Sequence, residues 1–263
     1  EIRPVNRWTP ETDNMNSISF EQFQLTSNFF SLTVAAMGAA TAFLWLSRSQ
    51  VAGPYKMAVT ISGLVTFIAL YHYVKISNSW NDAYNIVDGV LIPSGIPFND
   101  AYRYVDWILT VPLLLIELIL VMSLSPKETL SKSLRLGGLA ALMIALGYPG
   151  EVANDPGTRW MWWSLSMLPF LWIVFELFAG LKGSLDSQPA AARGLISKAR
   201  YLVIASWAFY PIVFIFPMMG VDGPTATTYV QIGYSIADIV AKAVFGVLIF
   251  AIALKKTGSE TTA

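Results

Sequence analysis

The chain has 263 residues, of which 55% are hydrophobic and only 13% are charged, and its formal net charge at pH 7 is zero. Because an ordinary soluble domain carries about 25% charged residues, this composition predicts an integral membrane protein. The sequence has no basic cluster that would favour nucleic acid as a partner. It also has no cysteine, which excludes disulfides, thiolate metal sites and cysteine nucleophiles.

Seven apolar stretches are long enough to cross a bilayer of about 30 Å as helices. They cover residues 22–47, 55–77, 101–124, 132–149, 159–181, 199–219 and 227–254. The connections between them are too short for a further domain, so we predict an all-α protein with a single seven-helix membrane domain over residues 1–263. Residues 1–19 are polar and are expected to form an external N-terminal segment.

The longest connection, residues 78–100, contains an Asp88-Gly89 pair flanked by apolar residues. This pair is typical of the tight turn of a β-hairpin. We therefore predict a short external hairpin between the second and third helices.

The distribution of Lys and Arg predicts the orientation in the membrane. With the N-terminus outside, the cytoplasmic side receives eleven of the 17 Lys and Arg residues and the outer side receives four. Cytoplasmic connections are enriched in positive charge, so we expect the C-terminus to be cytoplasmic.

The last predicted helix carries two charges near its centre, Asp238 and Lys242, within an otherwise uncharged run at 228–254. An isolated charge at the bilayer midplane costs roughly 2.5 to 3.5 kcal/mol, which favours a functional role. A lysine in an apolar pocket is suited to condense with an aldehyde, because desolvation favours its neutral amine. Asp238 could then accompany the resulting cation. The alternative is an ion pair that only braces two helices.

The third predicted helix places Asp106, Thr110 and Glu117 on one face, because eleven residues complete almost three full turns. The two carboxyl groups are about 16 Å apart along the helix axis at 1.5 Å per residue. Carboxyl groups at two depths of a membrane suit a proton relay. The alternative is helix packing, although buried carboxyls are costly unless they are paired or protonated.

Three helices together carry a recognisable pattern. Its parts are Arg103, Asp106, Trp107, Thr110 and Glu117 in the third helix, Trp207-Ala-Phe-Tyr210-Pro211 in the sixth, and Asp238-Ile-Val-Ala-Lys242 in the seventh. In these residues the chain resembles the microbial rhodopsins, which are retinal-binding seven-helix proteins, and most closely the proteorhodopsin and xanthorhodopsin group of bacterial proton pumps.

The resemblance implies an outward light-driven proton pump with all-trans retinal bound covalently to Lys242 as a protonated Schiff base. It implies that Asp106 is the proton acceptor and counterion, Asp238 the second counterion and Glu117 the proton donor, and that Arg103 follows proton release. The residues expected to contact retinal are Trp107, Leu114, Met143, Gly147, Trp163, Ser166, Phe170, Trp207, Tyr210, Pro211 and Phe214.

Further expectations depend on single positions. A lone histidine is usually a core residue, but in this family a histidine matching His72 bonds the acceptor aspartate. Leu114 matches a spectral tuning position, where leucine accompanies green absorption. Trp163 stands where some relatives have a glycine that admits a carotenoid antenna, so no antenna is expected. The release glutamates of the archaeal pumps have no clear counterpart in 217–231, and Phe214 replaces a pocket tryptophan.

Two other functions remain open from the sequence. Sodium pumps resemble this chain but carry Asn, Asp and Gln at the positions of Asp106, Thr110 and Glu117, and a photosensor would share the pocket but gains little from Glu117. No metal site, phosphate loop or nucleophile triad indicates an enzyme. The expected partners are protons, the lipid of a bacterial cytoplasmic membrane that the chain crosses several times, and further copies of the chain in a homo-oligomer.

Overall fold

The computed structural model describes residues 18–220 and 223–261, which leaves most of the predicted external segment 1–19 outside the described residues. Within these ranges the chain is mainly helical. The helices are α1 (Phe20–Ser47), α2 (Lys56–Asp82), α3 (Ala101–Val121), α4 (Pro126–Glu151), α5 (Pro156–Phe175), α6 (Lys182–Asp186), α7 (Ala190–Phe214), α8 (Gly223–Asp238) and α9 (Phe245–Thr261). The strands are β1 (Tyr84–Val87) and β2 (Val90–Pro93).

Seven long helical stretches form the predicted bundle. Six of them, within the described ranges, are both long and apolar enough to cross a membrane, namely Phe20–Gln50, Gly53–Asp82, Ala101–Val121, Pro126–Glu151, Pro156–Gly180 and Gly223–Ser259. The seventh is α7, whose 25 residues span about 37 Å at 1.5 Å per residue. Its first half carries Arg193, Lys198 and Arg200, which makes this helix less apolar than the others. The all-α seven-helix prediction is confirmed.

Two helices begin at least six residues earlier than hydropathy predicts. Helix α4 starts at Pro126, not 132, because Ser125 and Glu128 form a reciprocal capping box that stabilises a polar first turn. Helix α7 runs over Ala190–Phe214 instead of 199–219. Its first turns are polar, so a search for apolar residues does not find them. A short 3₁₀ turn that starts at Pro217 follows the helix, since proline has no amide hydrogen for a continuing helix.

The predicted hairpin is confirmed. Strands β1 and β2 pair antiparallel, with Val87 opposite Val90, so that Asp88 and Gly89 form a two-residue turn. Their φ angles are 52° and 79°. Positive φ at both positions is what a type I′ turn requires, and Asp-Gly supplies it at low cost.

The last spanning helix is not uniform. Helices α8 and α9 are joined without a break by a π-helical segment at Ile239–Val244, and Lys242 lies within it. A π-helical turn accommodates an additional residue and is frequent at functional sites. This segment faces α3 across the interior of the bundle, where the polar residues described next are buried.

Candidate functional site

Lys242 is the centre of a buried charged cluster. Its side chain is 1% exposed, and its Nζ atom donates hydrogen bonds to Asp106 Oδ2 on α3 and to Asp238 Oδ1 at 2.8 Å. The ammonium therefore connects α3 to the last spanning helix. The structure brings together the three charged residues that the sequence placed at the centre of the bundle.

The two carboxylates differ in how well they are hydrogen-bonded. Asp238 accepts from Lys242 and also from the hydroxyls of Tyr73 and Tyr210, each at 2.7 Å. Asp106 accepts from Lys242 through Oδ2, whereas its buried Oδ1 has no hydrogen-bond partner among the described residues. Hydrogen bonds to a carboxylate stabilise its charged form, so Asp106 is the carboxylate whose charge is less well stabilised.

His72 lies beside Asp106 but does not hydrogen-bond to it. Its Nδ1 atom is 3.8 Å from Asp106 Oδ1, which is longer than a hydrogen bond. The same nitrogen is 2.9 Å from the carbonyl oxygen of Ile68, one turn earlier in α2. Because a carbonyl can only accept, this nitrogen is the donor. The bond to Asp106 expected from the resemblance is therefore absent from this arrangement.

Arg103 is buried on the hairpin side of Asp106. Its Nη1 donates to the Tyr73 hydroxyl at 3.0 Å, its Nη2 to Gln231 Oε1 at 2.5 Å, and its Nε to Asp100 Oδ1 at 2.8 Å. The guanidinium also stacks against aromatic rings, with centroids 5.3 to 5.7 Å away. The rings belong to Phe30, Tyr73 and Tyr234.

Glu117 lies on the same helix, about 16 Å from Asp106 at 1.5 Å per residue. It is fully buried and has no ion-pair partner among the described residues, and the polar side chain that interacts with it is that of Ser62 on α2. Burying an unpaired charge is far more costly than burying a neutral carboxyl, so this environment favours the protonated form. Thr110, between the two acids, donates to the backbone carbonyl of Asp106 at 2.9 Å and leaves both carboxyls without its hydroxyl.

Lys242 opens onto a cavity between the helices, with about 770 Å³ of empty space including its opening. All twelve residues predicted to bind the cofactor line it, namely Trp107, Leu114, Met143, Gly147, Trp163, Ser166, Phe170, Trp207, Tyr210, Pro211, Phe214 and Lys242. The mainly apolar walls are typical of a ligand pocket with few polar anchors. The residues present suit an apolar aldehyde, with Lys242 as the amine that would bind it.

Several residues of the site escaped the sequence analysis. Tyr73 and Gln231 hold Asp238 and Arg103, Asp100 pairs with Arg103, and Tyr104 and Tyr234 line the cavity. Spacing offered a signal for Gln231, which precedes Asp238 by seven residues and therefore lies on nearly the same helix face. Neutral tyrosines in apolar helices carry no comparable signal.

Comparison with known proteins agrees with this geometry. The model of the family "Bacteriorhodopsin-like protein" matches residues 24–256. The chain belongs to this family. It is a microbial rhodopsin, and hence a multi-pass membrane protein.

Individual relatives cover most of the chain. It is 32% identical over 233 residues to the green-light absorbing proteorhodopsin of Gamma-proteobacterium EBAC31A08, covering 88% of this chain and 87% of that protein. Among solved structures, xanthorhodopsin, a light-driven ion pump with dual chromophore, is 46% identical with a TM-score of 0.89, over 93% of this chain and 98% of that one. A thermophilic rhodopsin is 43% identical with a TM-score of 0.89, over 94% and 99% of the two chains.

Proposed function

We propose that this rhodopsin is a light-driven outward proton pump with all-trans retinal bound covalently to Lys242. The observation that carries the proposal is the pair of buried carboxyls on α3, with Asp106 against Lys242 Nζ and with Glu117, about 16 Å away, lacking an ion-pair partner among the described residues. Similarity to proteorhodopsin and to xanthorhodopsin, a light-driven ion pump, supports transport.

The residues around Lys242 suit a cofactor that becomes positively charged on that amine. When bound as a protonated Schiff base, retinal supplies a light-driven isomerisation that changes the orientation and proton affinity of the nitrogen. The Nζ atom marks that nitrogen, and two carboxylates face it. Asp238 is held by two tyrosines and keeps its charge, so it serves as the permanent counterion. Asp106, with one unpaired oxygen, accepts the proton.

Glu117 is placed to return a proton from the opposite side. Its buried carboxyl, which faces no cation among the described residues, is protonated at rest and can donate when a base further along α3 needs a proton. Arg103 lies on the other side of Asp106, toward the hairpin. Protons would therefore enter near Glu117 and leave near Arg103. The distribution of Lys and Arg favours a cytoplasmic C-terminus, and with that orientation the direction of transport is outward.

A sodium pump and a photosensor are the competing functions. The chain has Asp106, Thr110 and Glu117 where the sodium pumps carry Asn, Asp and Gln, and a sensor has little use for a buried donor such as Glu117. Illumination of retinal-supplied cells with external pH recording separates the three. Acidification that a protonophore abolishes supports the proton pump, alkalinisation that a protonophore enhances indicates sodium export, and no pH response favours the sensor.

We further propose that no carotenoid antenna binds. Trp163 lines the cavity on α5, and its Nε1 donates to the carbonyl of Pro211 on α7 at 3.0 Å. This hydrogen bond fixes the indole between two helices, at the position where the resemblance places a glycine in antenna-binding relatives. We also expect the chain to act as a single domain and to form homo-oligomers in a bacterial cytoplasmic membrane.

A further inference from the structure

Asp100 lies at the outer end of a series of direct hydrogen bonds that begins at the buried carboxylates. Asp238 Oδ2 accepts from the Tyr73 hydroxyl at 2.7 Å, this hydroxyl accepts from Arg103 Nη1 at 3.0 Å, and Arg103 Nε donates to Asp100 Oδ1 at 2.8 Å. The Asp100 side chain is 26% exposed, whereas that of Arg103 is 1% exposed. Asp100 thus links the buried cluster to the solvent side of the hairpin.

The guanidinium of Arg103 forms an ion pair with one nearby carboxylate. A guanidinium stays protonated in proteins, and its burial weakens screening by solvent. Among the described residues, Asp100 is the only carboxylate within ion-pair distance of Arg103. Its other hydrogen bonds go to neutral groups on Tyr73 and Gln231. The anion closest to this cation is therefore Asp100, on the outer side, whereas Asp238 interacts with it only at longer range.

The side chain of Asp100 does not cap the helix that it precedes. Asp100 precedes α3 at the N-cap position, but its side chain makes no capping hydrogen bond. Its carboxylate instead accepts from Arg103 and, at 3.5 Å, from Gln231 Nε2 on α8. The contacts are those of an anchor for the arginine.

We propose that Asp100 is a positioning residue that holds the charge of Arg103 toward the outer side and thereby keeps Asp106 able to accept a proton. A cation drawn closer to Asp106 would stabilise its ionised form and weaken it as an acceptor. Asp106 is sensitive to such a change because its Oδ1 has no hydrogen-bond partner among the described residues. The inference rests on the proposed function, since that function makes Asp106 the acceptor.

Other titratable groups interact with Asp100 and must be separated from Asp106 in the test. They are Arg103 and Tyr104 on α3, Glu151 at the end of α4, and Tyr234 on α8. Asp106 itself is faced by Lys242 and Asp238 on the last spanning helix, by Tyr210 on α7 and by His72 on α2. The absorption maximum of the retinal-loaded protein in the dark responds mainly to the carboxylates that contact Lys242, and two tyrosine hydroxyls stabilise the charge of Asp238. The red shift of the maximum on acidification therefore reports protonation of Asp106 and not of the outer groups.

The experiment is a spectral titration of the purified, retinal-loaded protein in the dark. Asp100→Asn should lower the midpoint pH of the red shift by more than about one unit, because the direct loss of a unit charge about 9 Å away along the helix accounts for about one unit at an effective dielectric constant of about 20, and the movement of Arg103 adds to it. Asp100→Glu should retain the wild-type midpoint. Asp88→Asn is the matched control, because it makes the same chemical change at the exposed hairpin tip, where asparagine tolerates positive φ.

A second variant pair tests whether Asp100 acts through Arg103. In an Arg103→Gln background, Asp100→Asn should shift the midpoint by less than it does in the wild type, because only the direct effect of its charge remains. Equal shifts in both backgrounds would overturn the positioning role. If Asp100→Asn gives no coloured protein, Asp100→Ser carries the same test, since serine is a favourable N-cap residue.

The outcome also separates this inference from the proposed function. Wild-type protein is first tested for light-driven acidification. If the wild type acidifies the medium but Asp100→Asn and Asp88→Asn both keep its midpoint, the assignment of Asp100 is wrong and the pump stands. If the wild type moves no protons and the midpoint still shifts with Asp100, the pump is wrong and the control of Asp106 by Asp100 stands.

Discussion

Lys242 Nζ lies 2.8 Å from Asp238 Oδ1, and both side chains are only 1% exposed. The same ammonium also contacts Asp106 on α3, so one buried cation faces two buried anions. Removal of one member of such a cluster leaves an uncompensated charge in a medium that solvates it poorly. Substitutions at these positions should therefore have large effects on colour, on transport and on stability.

Replacement of Lys242 by alanine should give a colourless protein in the presence of retinal. It removes the only lysine that lines the cavity within the described residues. Two buried carboxylates also lose their cation, so the free energy of unfolding of the retinal-free protein should fall by about 3 to 5 kcal/mol, the usual cost of breaking a buried ion pair. Absorption spectra and denaturant titrations provide the measurements.

Lys256 is the matched control for that substitution. It is a second buried lysine, but its Nζ contacts the carbonyls of Val121 and Met122 and the side chain of Gln188, away from the cavity. Lys256→Met should keep the visible band. A covalent visible pigment in Lys242→Ala would refute the assignment of the retinal-binding lysine.

Asp106→Asn should shift the absorption maximum to the red and stop outward transport. Loss of the primary counter-charge favours the charge-delocalised excited state over the ground state, and an amide cannot accept the proton. Spectra and light-driven pH changes in cells are the readouts, with Asp88→Asn as a control that should behave as the wild type. Normal transport by Asp106→Asn would exclude this residue as the acceptor.

Glu117→Gln should leave the absorption maximum nearly unchanged and slow the recovery of the deprotonated intermediate. The side chain lies about 16 Å along α3 from Asp106, too far to alter the charges at Lys242 strongly. Loss of a positioned acid should slow proton return by about 100-fold or more. Flash photolysis at neutral pH measures this, with Glu21→Gln on the exposed first turn of α1 as control. Unaltered recovery would rule out the donor role.

Leu114→Gln should move the absorption maximum to shorter wavelength. Leu114 is 1% exposed and lines the cavity one turn beyond Thr110. A polar amide at this position would stabilise the ground-state charge distribution more than the excited state. An unchanged or red-shifted spectrum would contradict the alignment of this position with the spectral tuning site.

Trp163→Gly should open a path from the membrane to the cavity. The wild type should show no energy transfer from an added hydroxylated carotenoid to retinal, because the indole occupies the wall. Carotenoid bands should appear in the excitation spectrum of the glycine variant only. Trp160→Gly is the control, since Trp160 packs edge-on against Trp163 without lining the cavity. Carotenoid sensitisation in the wild type would show that the wall is open.

The sequence predicted those parts of the fold that depend on strong local signals. The length of the apolar stretches predicted the spanning helices. The Asp88-Gly89 pair predicted the hairpin turn, since few residue pairs adopt positive φ at both positions. The predicted starts of α4 and α7 are too late. A polar first turn is stabilised by capping, as in α4, or by packing against neighbouring segments of the same chain. A hydropathy average detects neither capping nor packing.

The site shows the same division. Charged residues in apolar helices stand out, so the sequence identified the residues that meet at Lys242. Tyr73 and Gln231 did not stand out, because a neutral polar residue in a helix becomes informative only when its partner is known. His72 shows a further limit, because sequence cannot tell that its Nδ1 bonds the Ile68 carbonyl of its own helix while Asp106 lies 3.8 Å from the same nitrogen.

Lys242 lies in the π-helical segment at Ile239–Val244, so the direction of its amine depends on the number of residues in that segment. Each residue of an α-helix turns the chain by about 100°. A one-residue deletion between Asp238 and Lys242 would therefore point the amine away from α3, even if every side chain of the cavity were retained. A surface loop tolerates insertions and deletions, but this turn does not. The number of residues across it matters as much as their identity.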